Sequence, residues 1–402
     1  MADFYQTGVI STLHGFAANK PERMENELRR FQRRQPIALL LPSLWSEFEG
    51  PAMPRIVESL RTVKYLKQVV LVLDRADHEQ FGRARDFFRG FDVPVRILWN
   101  DSPRISELYT LLARNNIIAG PAGKGRSVWM GMGYILAEGK SYAIALHDCD
   151  ILTYSKDLLA RLCYPVANTS MSYEFAKGYY ARVSDRFNGR VTRLFMTPLV
   201  RTLEKMAGYV PFLVFLDSFR YPLAGEFAMT TDLARIVQIP SDWGLEVGML
   251  SEVFRNCAPR RICEVDLCET YDHKHQDLSR DNTEAGLNRM AIDIAKHLFR
   301  TLASEGVSIS DGFFKTVKAA YLREAQDAIR KYNDDAAFNG LAFDRHAEGT
   351  AAEIFAKSIE IAAKTVIEDP LGSPLIPSWN RVMSAVPEFL DMLHAAVEED
   401  NQ

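Results

Sequence analysis

No apolar run in this chain approaches the ~18–20 residues that a membrane-spanning helix needs, so neither a span nor a membrane partner is expected. The N-terminal stretch MADFYQTGVISTLHGF lacks a basic segment followed by a long apolar one, which argues against a secretory leader and for a cytoplasmic protein. Cysteine is scarce: five in 402 residues, an odd number, which speaks against a disulfide framework and for a reducing compartment. Cys257, Cys263 and Cys268 fall close together, but their spacing fits no zinc pattern, and they are expected to pack as buried thiols. Charge of one sign is not in excess either: 48 basic against 52 acidic residues leave a formal charge of -4, with no global electrostatic reason to bind nucleic acid. There is no repeat of fixed period and no low-complexity linker. What remains is an ordinary globular composition, 47% hydrophobic and 25% charged, sufficient for one large core and an appended region.

Residues 22 to 35, ERMENELRRFQRRQ, read as a charged amphipathic helix within an N-terminal arm spanning 1–35. Four short apolar runs follow: PIALLLP (36–42), QVVLVLD (68–74), VRILWND (95–101) and SYAIALHDCD (141–150). Their length and bounding turn residues suit strands buried on both faces, and helical stretches lie between them. Alternating strands and helices imply right-handed crossovers, hence an α/β fold with a mostly parallel sheet and helices on both sides. Further strands are expected at SYEFAKGYY and RRICEVDL, with helices from Arg190 to about Met206 and across GLEVGMLSEVFRN. Beyond about residue 280 only helical patterns occur, so 281–402 reads as a helical appendage for packing or oligomerisation.

Ligands of such sheets bind outside the carboxyl ends of the strands. That directs attention to the polar residues ending the runs: Pro42 to Glu47, Asp74 to Asp77, Asn100 to Asp101, and Asp148 to Asp150. A turn beginning at Cys149 can aim both Asp148 and Asp150 toward the same rim, and a hard divalent cation takes one or two such carboxylates plus phosphate oxygens. His147 is expected only to complete the strand. GPAGKGRS (120–127) puts Lys124 and flexible glycines before a helix, either as a phosphate-facing loop or as a helix-leading turn. It is not a P-loop, because the required spacing is absent. FNGRVTRLF opens a helix near Gly189 with Arg190 and Thr192 in its first turn, an arginine set against the helix dipole that favours a bound anion. YPLAGEFAM places Glu226 after an Ala-Gly step that lets a ligand approach the backbone. DHKHQDL places His273 and His275 on one face of an extended segment, where neutral imidazoles suit a metal.

Taken in order, PSLWSE, GKG, D-x-D, F-x-K-G-x-Y, GRVTRL, PLAGE and the histidine segment resemble the retaining GT-A glycosyltransferases known as glucosyl-3-phosphoglycerate synthases and their mannosyl relatives. The resemblance covers residues 36–280, which would form the glycosyltransferase domain. It implies transfer of glucose from a nucleoside-diphosphate glucose, UDP-glucose foremost, to 3-phosphoglycerate, with Mg2+ or Mn2+ as cofactor and a homodimer as the assembly. Donor contacts implied by it are Pro42, Ser43, Leu44, Trp45, Ser46, Asp74, Lys124, Asp148, Cys149, Leu223, Ala224, Gly225, Glu226, Tyr271 and Gln276. Acceptor contacts are Gly189, Arg190, Val191, Thr192 and His275. Asp150, His273 and Asp148 would hold the metal, and Glu226 with Asp150 would serve catalysis. A glycerate or mannosyl variant of the reaction, and a nucleotide-sugar-binding protein without chemistry, are the alternatives. PSLWSE departs from the family's P-A-L-N-E loop, DRAD (74–77) replaces a serine-rich turn, and cysteine occupies the centre of D-x-D, a position that contributes mainly backbone.

Overall fold

A computed structural model of the chain describes residues 6, 8–16, 21–273, 278 and 286–402. Among these residues one sheet is formed by β1 (Ser11–Leu13), β2 (Ile37–Leu44), β3 (Leu66–Asp74), β4 (Val95–Trp99), β5 (Ala143–Leu146), β6 (Phe175–Tyr180), β7 (Phe227–Thr230) and β8 (Ile262–Cys268). Their spatial order is β1-β8-β6-β7-β5-β2-β3-β4. Every pairing is parallel except the two made by β7, which runs antiparallel between β5 and β6.

The continuous apolar runs are explained by burial on both faces. Along β2, Ala38 and Leu40 enter one apolar cluster while Leu39 and Leu41 enter the other; along β3, Val70 and Val72 alternate with Val69, Leu71 and Leu73 in the same way. All six strands read from the sequence are present. The three-residue β1 and four-residue β7 were not anticipated, because runs so short carry no periodicity of their own. β5 stops at Leu146, short of the expected 150, so Asp148 and Asp150 lie in the turn beyond the strand. The helix expected from Arg190 begins as a wide π-turn, Val191–Met196, before the regular helix Thr197–Ala207; such turns concentrate at functional positions.

The C-terminal helices Gly286–Ser304, Asp311–Asn339, Arg345–Glu368, Trp379–Ala385 and Phe389–Asp400 occupy the region where only helical patterns were expected. Their apolar faces join the same core that covers one side of the sheet. The Trp379 indole stacks on Trp129 with ring centroids 4.2 Å apart. Asn401 closes the β4 edge, accepting from Ile97 N at 3.1 Å and donating to Ile97 O at 2.8 Å, where an open strand would present unpaired backbone groups. Arg96 on the same strand pairs with Glu398 at 2.7 Å. Cys257 and Cys263 are buried and Cys268 is half-buried, none in a disulfide.

Candidate active site

At the carboxyl ends of β2, β3 and β5 lies a cleft of about 1080 Å³. Pro42, Ser43 and Leu44 from the end of β2 line it, as do Asp74 from the end of β3 and Lys124 from the start of the helix Lys124–Glu138. Asp148, Cys149 and Asp150 face it from the turn after β5, and His273 comes to the same cavity from beyond β8. Gly189 and Arg190 contribute from the entry to the π-turn, Val191 and Thr192 from its start, and Leu223 and Gly225 from the loop before β7.

Several expected contacts lie elsewhere. Trp45 begins the short helix Trp45–Phe48, which turns its indole into the core against Phe48, at 5.2 Å between centroids; Ser46 is exposed outside the cleft, and Glu47 lines it instead. Ala224 is fully buried and offers its carbonyl to the Lys177 ammonium. Glu226 and Tyr271 stand behind the wall rather than on it. The Glu226 carboxylate has no exposed surface; it accepts from the Tyr180 hydroxyl at 2.7 Å and from the Tyr271 hydroxyl, and those two rings stack 3.7 Å apart. Of these three residues only Tyr180 reaches the cleft. Burial, then the charge of Asp148, pushes the Glu226 carboxyl above its usual range, against the two hydroxyls that stabilise its anion. His275 and Gln276 lie outside the described residues.

Lys124 is the electrostatic centre of the cleft. Its ammonium lies 2.6 Å from Asp148 Oδ1 and 3.1 Å from Glu246 Oε1. Burial opposes the charge on Lys124, but Asp148 and Glu246 outweigh it and hold the group above the ordinary lysine range. In turn burial would raise the Asp148 carboxyl, and Lys124 overrides it, keeping Asp148 ionised. Glu246 sits in the first turn of the helix Leu245–Asn256, which reads in the sequence as a plain packing helix; an acid among GLEVGML was the only signal. The glycines of GKG answer to packing: a β-carbon on Gly125 would fall 1.9 Å from the Pro240 carbonyl oxygen, so close chain approach, not ligand contact, demands glycine there.

Asp74 is held by donation from Asn100 Nδ2 at 2.9 Å and from the Ser127 hydroxyl, and burial raises its carboxyl above the usual range. His147 is buried with Nδ1 2.9 Å from the Asp148 carbonyl and Nε2 3.0 Å from the Tyr154 hydroxyl; burial lowers it to about 4, so the ring is neutral and structural.

The donor set for a cation is small. Asp150 Oδ2 lies 3.4 Å from His273 Nδ1, and the buried Asp150 Oδ1 has no hydrogen-bond partner among the described residues. An isolated backbone bridge between Ile151 and His273 and a bond from Leu152 N to Asp272 O at 2.8 Å hold the two residues together. Among the described residues no group of three or more His, Cys, Asp or Glu converges for a metal, and Asp148 pairs with Lys124. A carboxylate and an imidazole with an unsatisfied oxygen fit a Mg2+ or Mn2+ ion whose other ligands are diphosphate oxygens and water.

No protein-family model matches the chain. Over 401 residues, 100% of this chain and 99% of the relative, it is 51% identical to the glucosyl-3-phosphoglycerate synthase of Persephonella marina. The chain belongs to the glucosyl-3-phosphoglycerate synthase family. The protein of that name from Methanococcoides burtonii is 40% identical over 403 residues, 99% of this chain and 98% of the relative. Among solved structures, the glucosyl-3-phosphoglycerate synthase of Mycobacterium tuberculosis in complex with Mn2+, UDP and glucosyl-3-phosphoglycerate superposes with a TM-score of 0.53 at 18% identity, over 74% of this chain and 89% of that one. The mannosyl-3-phosphoglycerate synthase of Rubrobacter xylanophilus gives 0.54 at 22%, over 71% and 80%. At these identities the likeness is one of fold, and it is the GT-A arrangement expected from the sequence.

Proposed function

We propose that this glucosyl-3-phosphoglycerate synthase family member transfers glucose from UDP-glucose to 3-phosphoglycerate with retention of configuration, aided by a divalent cation. The observation that carries this reading beyond family membership is the meeting, in one cavity, of the Asp150–His273 pair, the Lys124 ammonium and the Arg190 guanidinium. These are the groups that a dianionic leaving diphosphate and an anionic acceptor require. Asp150 and His273 would hold the cation, which when bound neutralises charge developing on the diphosphate. Lys124, kept charged by Asp148 and Glu246, adds a fixed ammonium to that charge balance. Arg190 offers paired donors to the carboxylate or phosphate of the acceptor and brings its hydroxyl to the sugar.

In the reaction the acceptor oxygen bonds to the anomeric carbon as the bond from that carbon to the diphosphate oxygen breaks, and the hydroxyl proton leaves with the diphosphate. Retention without a protein nucleophile is supported by the state of the nearby carboxylates: Asp148 and Glu246 are bound to Lys124, and Glu226 is enclosed by two tyrosines. Among the described residues no helix is long and apolar enough to cross a membrane. A cytoplasmic location, in keeping with five free cysteines, and a homodimer, implied by the family resemblance, complete the proposal.

Purified protein is incubated with UDP-glucose or GDP-mannose, a divalent metal, and 3-phosphoglycerate or glycerate, and products are identified by mass. Glucosyl-3-phosphoglycerate from the first donor and first acceptor is the expected outcome. Product only from GDP-mannose or only on glycerate overturns it, and bound nucleotide without any product marks a non-catalytic binder.

A further inference from the structure

Glu348 lies in the helix Arg345–Glu368, well beyond the segments that build the cleft, and is 4% exposed. Its two oxygens nonetheless meet the acceptor segment: Oε1 accepts from Arg190 Nε at 2.7 Å, and Oε2 makes an ion pair with Arg193 Nη1 at 3.0 Å. Arg193 is the hub of the loop leading into that segment. Its Nε donates to the Asn188 carbonyl at 2.8 Å and its Nη2 to the Phe187 carbonyl at 3.2 Å, while the Tyr332 ring of the helix Asp311–Asn339 lies 4.8 Å from the guanidinium carbon. The same loop is pinned again by Ala342 N, which donates to the Asp185 carbonyl at 2.9 Å.

Arg190 differs from Arg193 in exposure: its side chain is 41% exposed and lines the cleft, whereas Arg193 is 9% exposed. Among the described residues only the Nε of Arg190 is engaged, which leaves both terminal nitrogens of the guanidinium for a ligand. A guanidinium can pair with one carboxylate through part of its fork and with a second anion through the rest. An unrestrained arginine loses much rotamer freedom on binding, and a partner that fixes it beforehand removes that loss.

We propose that Glu348 is a positioning residue for the acceptor: it holds Arg190 in place for the anion of a phosphoglycerate-type acceptor, and so makes the C-terminal helices part of the acceptor site. The inference rests on the function proposed above. Two simpler roles predict different behaviour. If Glu348 only neutralises buried charge, its removal lowers stability and leaves acceptor affinity alone. If it merely competes for Arg190, its removal strengthens acceptor binding.

The test compares wild type, E348Q and E348D in steady-state kinetics with UDP-glucose and 3-phosphoglycerate, with UDP binding measured by calorimetry to verify a folded donor site. E348Q is expected to raise the KM for 3-phosphoglycerate about tenfold, equivalent to about 1.4 kcal/mol of acceptor binding, while kcat and the KM for UDP-glucose stay within about threefold. E348D, which restores the carboxylate one methylene shorter, recovers part of the loss and is judged on the same criterion if the glutamine variant does not fold. An unchanged or lowered acceptor KM in a folded variant overturns the inference alone. A wild type that turns over no acceptor overturns the proposed function and this inference with it.

Discussion

Asp148 occupies the space that a side chain at residue 225 would need: a β-carbon built on Gly225 falls 2.4 Å from Asp148 Oδ2 and 3.0 Å from Lys124 Nζ. The D-x-D turn, the GKG helix start and the PLAGE loop therefore form one packed unit around the Lys124–Asp148 pair. G225A is expected to displace that pair and cut kcat/KM by ~100-fold, the scale associated with a misplacement of about 1 Å at a reacting centre. Steady-state kinetics beside a thermal melt check this; activity near wild type would show that the pair is not needed in its present position.

Asp150 supplies the unsatisfied oxygen of the candidate metal pair. D150A is expected to abolish metal-dependent turnover and to leave the melting temperature of the metal-free protein close to wild type. Mn2+ with UDP should raise the melting temperature of wild type, because a ligand that binds only the folded state stabilises it, and should not raise that of D150A. A full Mn2+-dependent shift in D150A would remove this residue from the metal site.

Lys177 is wholly buried in β6, its ammonium bonded to the Ala224 carbonyl beneath the PLAGE loop. Burial lowers it from the ordinary 10.5 to about 8, with Glu246 and Glu226 opposing the drop. Because the folded value is depressed, the unfolded chain binds more protons between these limits, so this residue's contribution to stability is full above pH 10.5 and is lost as pH falls through 8. The stability of wild type relative to K177M is therefore expected to rise with pH by up to ~3 kcal/mol across that window. Denaturant titrations of both proteins at several pH values measure it, and a flat difference would contradict the buried, depressed lysine.

Trp379 has no exposed surface and stacks on Trp129. W379A is expected to destabilise the whole protein by about 3–5 kcal/mol, as loss of a buried aromatic does, in a single unfolding transition. Two separate transitions would instead mark the C-terminal helices as an independent domain.

The sheet was legible where strands are long and doubly buried, as in IALLLPSL and LKQVVLVLD, since a continuous apolar run between turn residues has few other uses. β7 was not, because FAMT is four residues whose direction is set by its neighbours on either side. In the site, the residues at strand ends were located by position alone: Asp74, Asp148 and Asp150 all line the cleft. Glu246 and Glu348 were not, because each sits in an otherwise ordinary helix and takes its role from partners distant in the chain, and Lys177 was visible only as part of F-x-K-G-x-Y, without the carbonyl it meets.

ALHDCDILTY shows where that boundary falls. Its apolar run established, from sequence, a buried strand with polar residues at its carboxyl end, and left open whether Asp148 and Asp150 were a strand terminus or carboxylates on a rim. Only the tertiary structure decided how those carboxylates divide. Lys124, brought over by the helix at 124–138, takes Asp148 at 2.6 Å, and His273, brought from beyond β8, joins Asp150 at 3.4 Å. Local patterning reports whether a residue meets water or core, while the charge it meets across the fold depends on segments that no local pattern places.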